Sequence, residues 1–103
     1  MMVSWSFLTN HALVLTVLNE QADSTGLQIA QAVGITERAA RKIIAELQAA
    51  GYLEAERIGR RNRYRIQAHR PLGRLLGGTG ERDISVGDFL QVLQGKASQV
   101  PTG

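Results

Sequence analysis

The side chains of this chain best suited to chemistry are its arginines. Seven of the 12 basic residues fall between positions 57 and 80 (Arg57, Arg60, Arg61, Arg63, Arg65, Arg70 and Arg74), with no acid among them. Residues 1–56 carry three bases against six acids, and residues 81–103 balance to −1, so a net charge of +3 conceals a strong local excess. A guanidinium presents a planar fork of donors that fits phosphate oxygens, so this cluster is expected to bind a polyanion rather than merely be solvated. Three further bases, Arg38, Arg41 and Lys42, crowd into five positions just after Glu37.

Other chemistry has no such support. The chain has no cysteine, which excludes disulfides, thiol redox sensing and thiolate metal sites. Its two histidines, His11 and His69, are far apart in sequence, and Asp83 and Asp88 do not have the spacing of a metal site. No serine or threonine stands in a local pattern with a histidine and an acid. Gly77, Gly78, Thr79 and Gly80 are followed by no Lys-Ser/Thr pair, so they do not form a phosphate loop. No catalytic residue, metal or cofactor is expected, and the chain is not expected to be an enzyme.

The arginines must be positioned by a small scaffold. At 103 residues with 44% hydrophobic side chains, the chain suits one small domain with a short appendage. Between Thr36 and Ala50, Ala40, Ile43, Ile44 and Leu47 recur at helical spacing, and Arg38, Arg41 and Lys42 lie outside that stripe. Thr36 can cap the helix, and Gly51 can supply a left-handed stop. A helix over Gly26–Val33, capped by Thr25, precedes it, with Leu27, Ile29, Ala30 and Val33 as its apolar residues. Gly34 closes that helix and Ile35 plugs the corner, so the two helices read as a helix-turn-helix. An earlier helix, capped by Thr9 or Asn10, runs to about Gln21, with Ala12, Leu15 and Leu18 on one side and His11, Val14 and Val17 adjoining.

After Gly51 the period changes. Tyr64 and Ile66 alternate with Arg63 and Arg65, as in a half-buried strand, and Leu53 to Ile58 can form its antiparallel partner. A turn through Gly59 to Asn62 would put Arg60 and Arg61 at the tip of a wing, where they can reach the backbone or a minor groove. Residues 69–80 read as a loop, with one helical turn after Pro71 and a Leu72, Leu75, Leu76 cluster. Ser85 and Asp88 resemble a capping box for a last helix from Val86 to about Gln94, whose stripe is Val86, Phe89, Leu90 and Leu93. That stripe is expected to pack beside the first helix or across a two-fold axis. Trp5, Phe7 and Leu8 are expected to cover part of the domain or a partner, and residues 95–103 to form a tail.

Three segments, LTNHALVLTVL, ITERAARKIIAELQAAGYL and RIGRRNRYRI, together resemble MarR-like winged helix-turn-helix transcriptional regulators, with the closest likeness to small single-domain members. The resemblance covers roughly residues 5–67. It implies a bacterial or archaeal DNA-binding regulator, usually a homodimer. It also implies that Arg38, Ala39, Arg41 and Lys42 face the groove while Arg60 and Arg61 occupy the wing. The flanking segments differ from the long dimerisation helices of full-length members, whose ligand pocket is not expected here.

The expected fold is α+β and mainly helical: a winged helix-turn-helix (three-helix core plus β-hairpin wing) over residues 1–67. Residues 68–103 supply a linker and a short C-terminal helix. The expected partner is double-stranded DNA, bound by a homodimer at a pseudo-palindromic operator. The expected contacts come from Thr36, Glu37, Arg38, Ala39, Arg41, Lys42, Arg57, Arg60, Arg61 and Arg63. A winged helix used for protein–protein assembly and a non-specific nucleic-acid binder are the competing roles. No apolar run is long enough to span a membrane, and no signal peptide is evident, so a cytoplasmic location is expected. No residue pattern indicates a small-molecule effector.

Overall fold

The computed structural model describes residues 8–72 and 84–94. In chain order the elements are α1 (Asn10–Glu20), α2 (Gly26–Val33), α3 (Glu37–Ala49), β1 (Leu53–Ile58), β2 (Arg61–Ile66) and α4 (Val86–Leu93). The architecture is α+β and mainly helical, with one two-stranded antiparallel hairpin, and is compatible with a winged helix. The expected roles of Trp5 and Phe7, the Leu75 and Leu76 cluster and the tail from residue 95 lie outside the described residues. Among the described residues no helix is long and apolar enough to cross a membrane.

Each helix starts on a hydroxyl. The side chains of Thr9, Thr25, Thr36 and Ser85 accept from the backbone N–H three residues on, filling donors that a helix start otherwise leaves open. At Thr25 the cap is reciprocal, because the Gln28 side chain accepts from the Thr25 N–H at 2.9 Å. Of the two caps considered for α1, Thr9 is the one used. The helix ends follow a matching logic. Gly34 takes φ +88°, a left-handed value that a β-carbon disfavours, and this lets the Ile35 N–H reach back to the Ala30 carbonyl at 3.0 Å. The same closure ends α3, where the Tyr52 N–H donates to the Leu47 carbonyl at 2.9 Å.

The core runs through all four helices and the start of β1. Val14, Leu15 and Leu18 of α1 pack with Ile29 and Ala30 of α2 and with Ala40, Ile43, Ile44 and Leu47 of α3. Leu53 closes it beneath the hairpin, and Val86 and Leu90 of α4 complete it. Helix α1 touches α2, α3, β2 and α4, which accounts for its wide apolar stripe. The stripe of α4 therefore packs beside the first helix, one of the two arrangements open from sequence. Its start is pinned by the Val86 N–H to the Arg70 carbonyl at 2.7 Å and by a bridge between Pro71 and Ser85.

Two expectations need correction. Leu27, counted among the apolar residues of α2, is half exposed, because it lies two positions before Ile29 and about 200° around the helix from it. The hairpin turn is also shorter than Gly59 to Asn62. Ile58 pairs with Arg61, leaving only Gly59 and Arg60 in the turn, so Arg61 and Asn62 belong to β2. Gly59 has φ +63° and Arg60 does not have positive φ, the sign pattern of a two-residue turn whose twist matches the strands it joins.

Candidate nucleic-acid interface

The hairpin register sorts the wing side chains by face. Opposite residues share a face, so Leu53, Ala55 and Arg57 go with Ile66, Tyr64 and Asn62, while Glu54, Glu56 and Ile58 go with Arg65, Arg63 and Arg61. Leu53 is buried and Tyr64 and Ile66 pack against the core, so the first face looks inward along its base. The edge of β2 is tied to the α1–α2 connection by the Tyr64 N–H, which donates to the Ala22 carbonyl at 2.8 Å.

On the second face the expected basic surface is partly neutralised. Arg65 Nη2 donates to Glu54 Oε1 at 2.6 Å, and this hydrogen bond, with the carboxylate charge, raises the guanidinium pKa above its ordinary value. Arg63 is exposed and stands directly opposite Glu56. Arg61 turns back toward the helices, with Nη1 3.9 Å from the Asp23 carboxylate and Nη2 3.5 Å from the Asp23 carbonyl. Arg61 was expected at the tip. Its place in β2 and its acidic neighbour across the chain leave Arg60 alone there, fully in the turn and exposed. Arg57 is also exposed and donates from Nε to the Gly59 carbonyl at 3.1 Å, bracing the turn.

On α3 the expected residues divide again. Arg38 and Lys42 are exposed, with no ion pair to another described residue. Arg41 is not open in the same sense: its Nε and Nη2 both donate to Glu37 Oε2, at 3.1 and 2.6 Å. That hydrogen bond is the main cause of a raised Arg41 pKa, followed by the Glu37 charge, with Tyr64 of β2 adding a smaller contribution. The hairpin meets this helix through β1, which packs against α3. Thr36 uses its hydroxyl to cap α3, accepting from the Ala39 N–H at 3.1 Å. Ala39 is half-buried with its N–H consumed by that cap, so it offers only part of a methyl group.

Among the described candidate residues, the cations without an ion pair are Arg38 and Lys42 on α3 and Arg57, Arg60 and Arg63 on the hairpin. Two contacts had no signal in the sequence, because each spans many positions. One is Arg61 with Asp23. The other is His11 Nε2 with Glu46 Oε1 at 2.7 Å, which ties α1 to α3. An open apolar hollow of about 310 Å³ lies near His11, bordered by Leu8, Leu15, Leu47, Tyr52 and Phe89. Among the described residues no group of three or more His, Asp or Glu side chains could hold a metal ion.

No known protein family matches the chain, and no curated protein is detectably similar to it.

Proposed function

We propose that this chain is a winged helix-turn-helix transcriptional regulator of the MarR-like type that binds double-stranded DNA. The observation that carries the reading is the neighbourhood of α3 and the hairpin. A short helix with a glycine corner before it exposes Arg38, Arg41 and Lys42 in its first two turns, and a hairpin carrying Arg57 and Arg60 packs against it through β1. A helix of that width with long donors near its N-terminus fits a major groove, and arginines on an adjoining hairpin reach the flanking backbone or minor groove. The homodimer and the pseudo-palindromic operator follow from the resemblance to MarR-like regulators. Two recognition helices related by a two-fold axis would then sit roughly 34 Å apart.

The charge pairing sharpens the expected affinity. With five open candidate cations per subunit each meeting one phosphate, log K should fall with log salt with a slope of about −4.5 per subunit and about −9 per dimer. Selection of bound duplexes from a random pool, followed by titration at several salt concentrations, tests the whole reading. A two-fold symmetric motif is the expected result. Duplex binding that is undetectable even at low salt would instead favour a winged helix that docks on an acidic protein. Strong binding with no enriched motif would favour a general nucleic-acid binder.

A further inference from the structure

The Glu37–Arg41 pair carries more information than an ordinary surface ion pair, because of the edge of the guanidinium that it occupies. Glu37 Oε2 takes both Nε and Nη2, the side-on edge of the fork. That leaves the end-on edge, formed by Nη1 and the second N–H of Nη2, with its two parallel donors. The Arg41 side chain is 68% exposed, so this edge is accessible. The side chain is also braced from a second element. It lies over Gly26 at the start of α2, where an added β-carbon would sit 3.4 Å from its Cγ and Nε. An arginine held this way loses less rotamer freedom on binding than one free in solvent.

Resting on the DNA-binding reading above, we infer that Arg41 is a specificity-determining residue that reads one guanine in each half-site, with Glu37 as its positioning residue. Two parallel donors at the end of a guanidinium match the O6 and N7 acceptors of guanine in the major groove. They would also match two phosphate oxygens, and Glu37 decides between these. A carboxylate 2.6 Å from Nη2 offsets the guanidinium charge and repels a phosphate, whereas it does not penalise a neutral base edge. Arg38 and Lys42, exposed on the same helix without such an acid partner, are the better phosphate ligands.

The test compares the wild-type 103-residue chain with Glu37→Ala, Glu37→Gln and Arg41→Ala, using duplex selection, affinities for single-base variants of the selected site, and salt titration. For the wild type, replacing the guanine should weaken binding by about 5- to 150-fold. Arg41→Ala should abolish the preference at that one position while leaving the salt slope unchanged. Glu37→Ala should lower the guanine preference yet strengthen binding to unrelated duplexes, since it removes an acid from the interface. Glu37→Gln, which keeps an acceptor oxygen, should retain part of the preference. Without DNA, the Arg41 side-chain Nε–H resonance should lose its protection from exchange in Glu37→Ala, while thermal melting verifies that each variant is folded.

Three results would overturn the inference while leaving the DNA-binding reading standing. One is an Arg41→Ala variant that weakens all sequences equally and reduces the salt slope by about 1, the signature of a phosphate contact. Another is a Glu37→Ala variant with undiminished guanine preference. The third is a selected motif with no guanine whose identity depends on residue 41. Failure of the wild type to select any motif would overturn the sequence-specific reading and the inference together.

Discussion

Arg65 and Glu54 face each other directly across the hairpin, and their side chains meet at 2.6 Å. This pairing changes what the basic stretch can do, because a guanidinium already facing a carboxylate gains less on binding a phosphate than a free one. Arg60, in the turn with no acid opposite it, has no such partner. In duplex titrations Arg60→Ala should flatten the slope of log K against log salt by about 1. Arg65→Ala should leave that slope unchanged. Equal slopes lost in the two variants would mean that the cross-strand pair opens on binding and that both arginines reach phosphate.

Thr36 is expected to matter through the helix it starts rather than through a contact of its own. Its hydroxyl is engaged by the Ala39 N–H, so Thr36→Ala should cost about 1 kcal/mol of stability. Thr36→Asp keeps the capping oxygen and should keep that stability, but it adds an anion beside the proposed DNA surface and should weaken duplex binding. Chemical denaturation and titration on the same two variants separate the roles. A Thr36→Ala variant that keeps full stability would show that the cap contributes nothing.

Helix α4 should behave as part of the core although it lies beyond the described hairpin segment. Leu90 is 2% exposed and packs in the same cluster as Leu18 and Val14, so Leu90→Ala should destabilise by about 2–5 kcal/mol. Val92, on the outer side of the same helix, is 60% exposed, and Val92→Ala should fall within about 0.5 kcal/mol of the wild type. Urea unfolding of the two variants checks this directly. A Leu90→Ala variant as stable as Val92→Ala would mean that α4 is detachable from the rest of the chain.

Gly34 and Gly51 should be equally intolerant of alanine, although their surroundings differ. Both have left-handed φ, +88° and +86°, so each alanine should cost about 1–2 kcal/mol. A β-carbon at 34 meets open space, whereas one at 51 would lie 2.6 Å from Arg70 Nη2. That atom is the far end of a flexible side chain that can swing aside, so the clash should add little. For a chain of this size the melting temperature should fall by about 4–8 °C per kcal/mol in both. A much larger loss in Gly51→Ala, relieved by Arg70→Ala, would show that the Arg70 position is rigid.

The elements and their ends were readable in the sequence because the interactions that set them are local. Thr25 and Thr36 cap donors three positions away, Gly34 and Gly51 adopt angles that depend on their own lack of a β-carbon, and the stripe of Ala40, Ile43, Ile44 and Leu47 follows from helical geometry. Which way Leu27 faces depends on how a two-turn helix is rotated, which short periodicity leaves loose. The hairpin was legible, but its turn was not, since Gly59 to Asn62 permits several loop lengths and only strand pairing selects one.

What the sequence by itself determined was therefore the order of the elements, their caps and the stretch where positive charge accumulates. What only the tertiary structure decided was which of those charges remain open. Arg61 meets Asp23 across 38 positions, and Arg41 lies between Glu37 of its own helix and Gly26 of α2. The physical reason is that charge is additive along a chain, while electrostatic pairing falls off within a few ångströms. Counting arginines can locate a basic segment, but only packing decides which of them find an acid first.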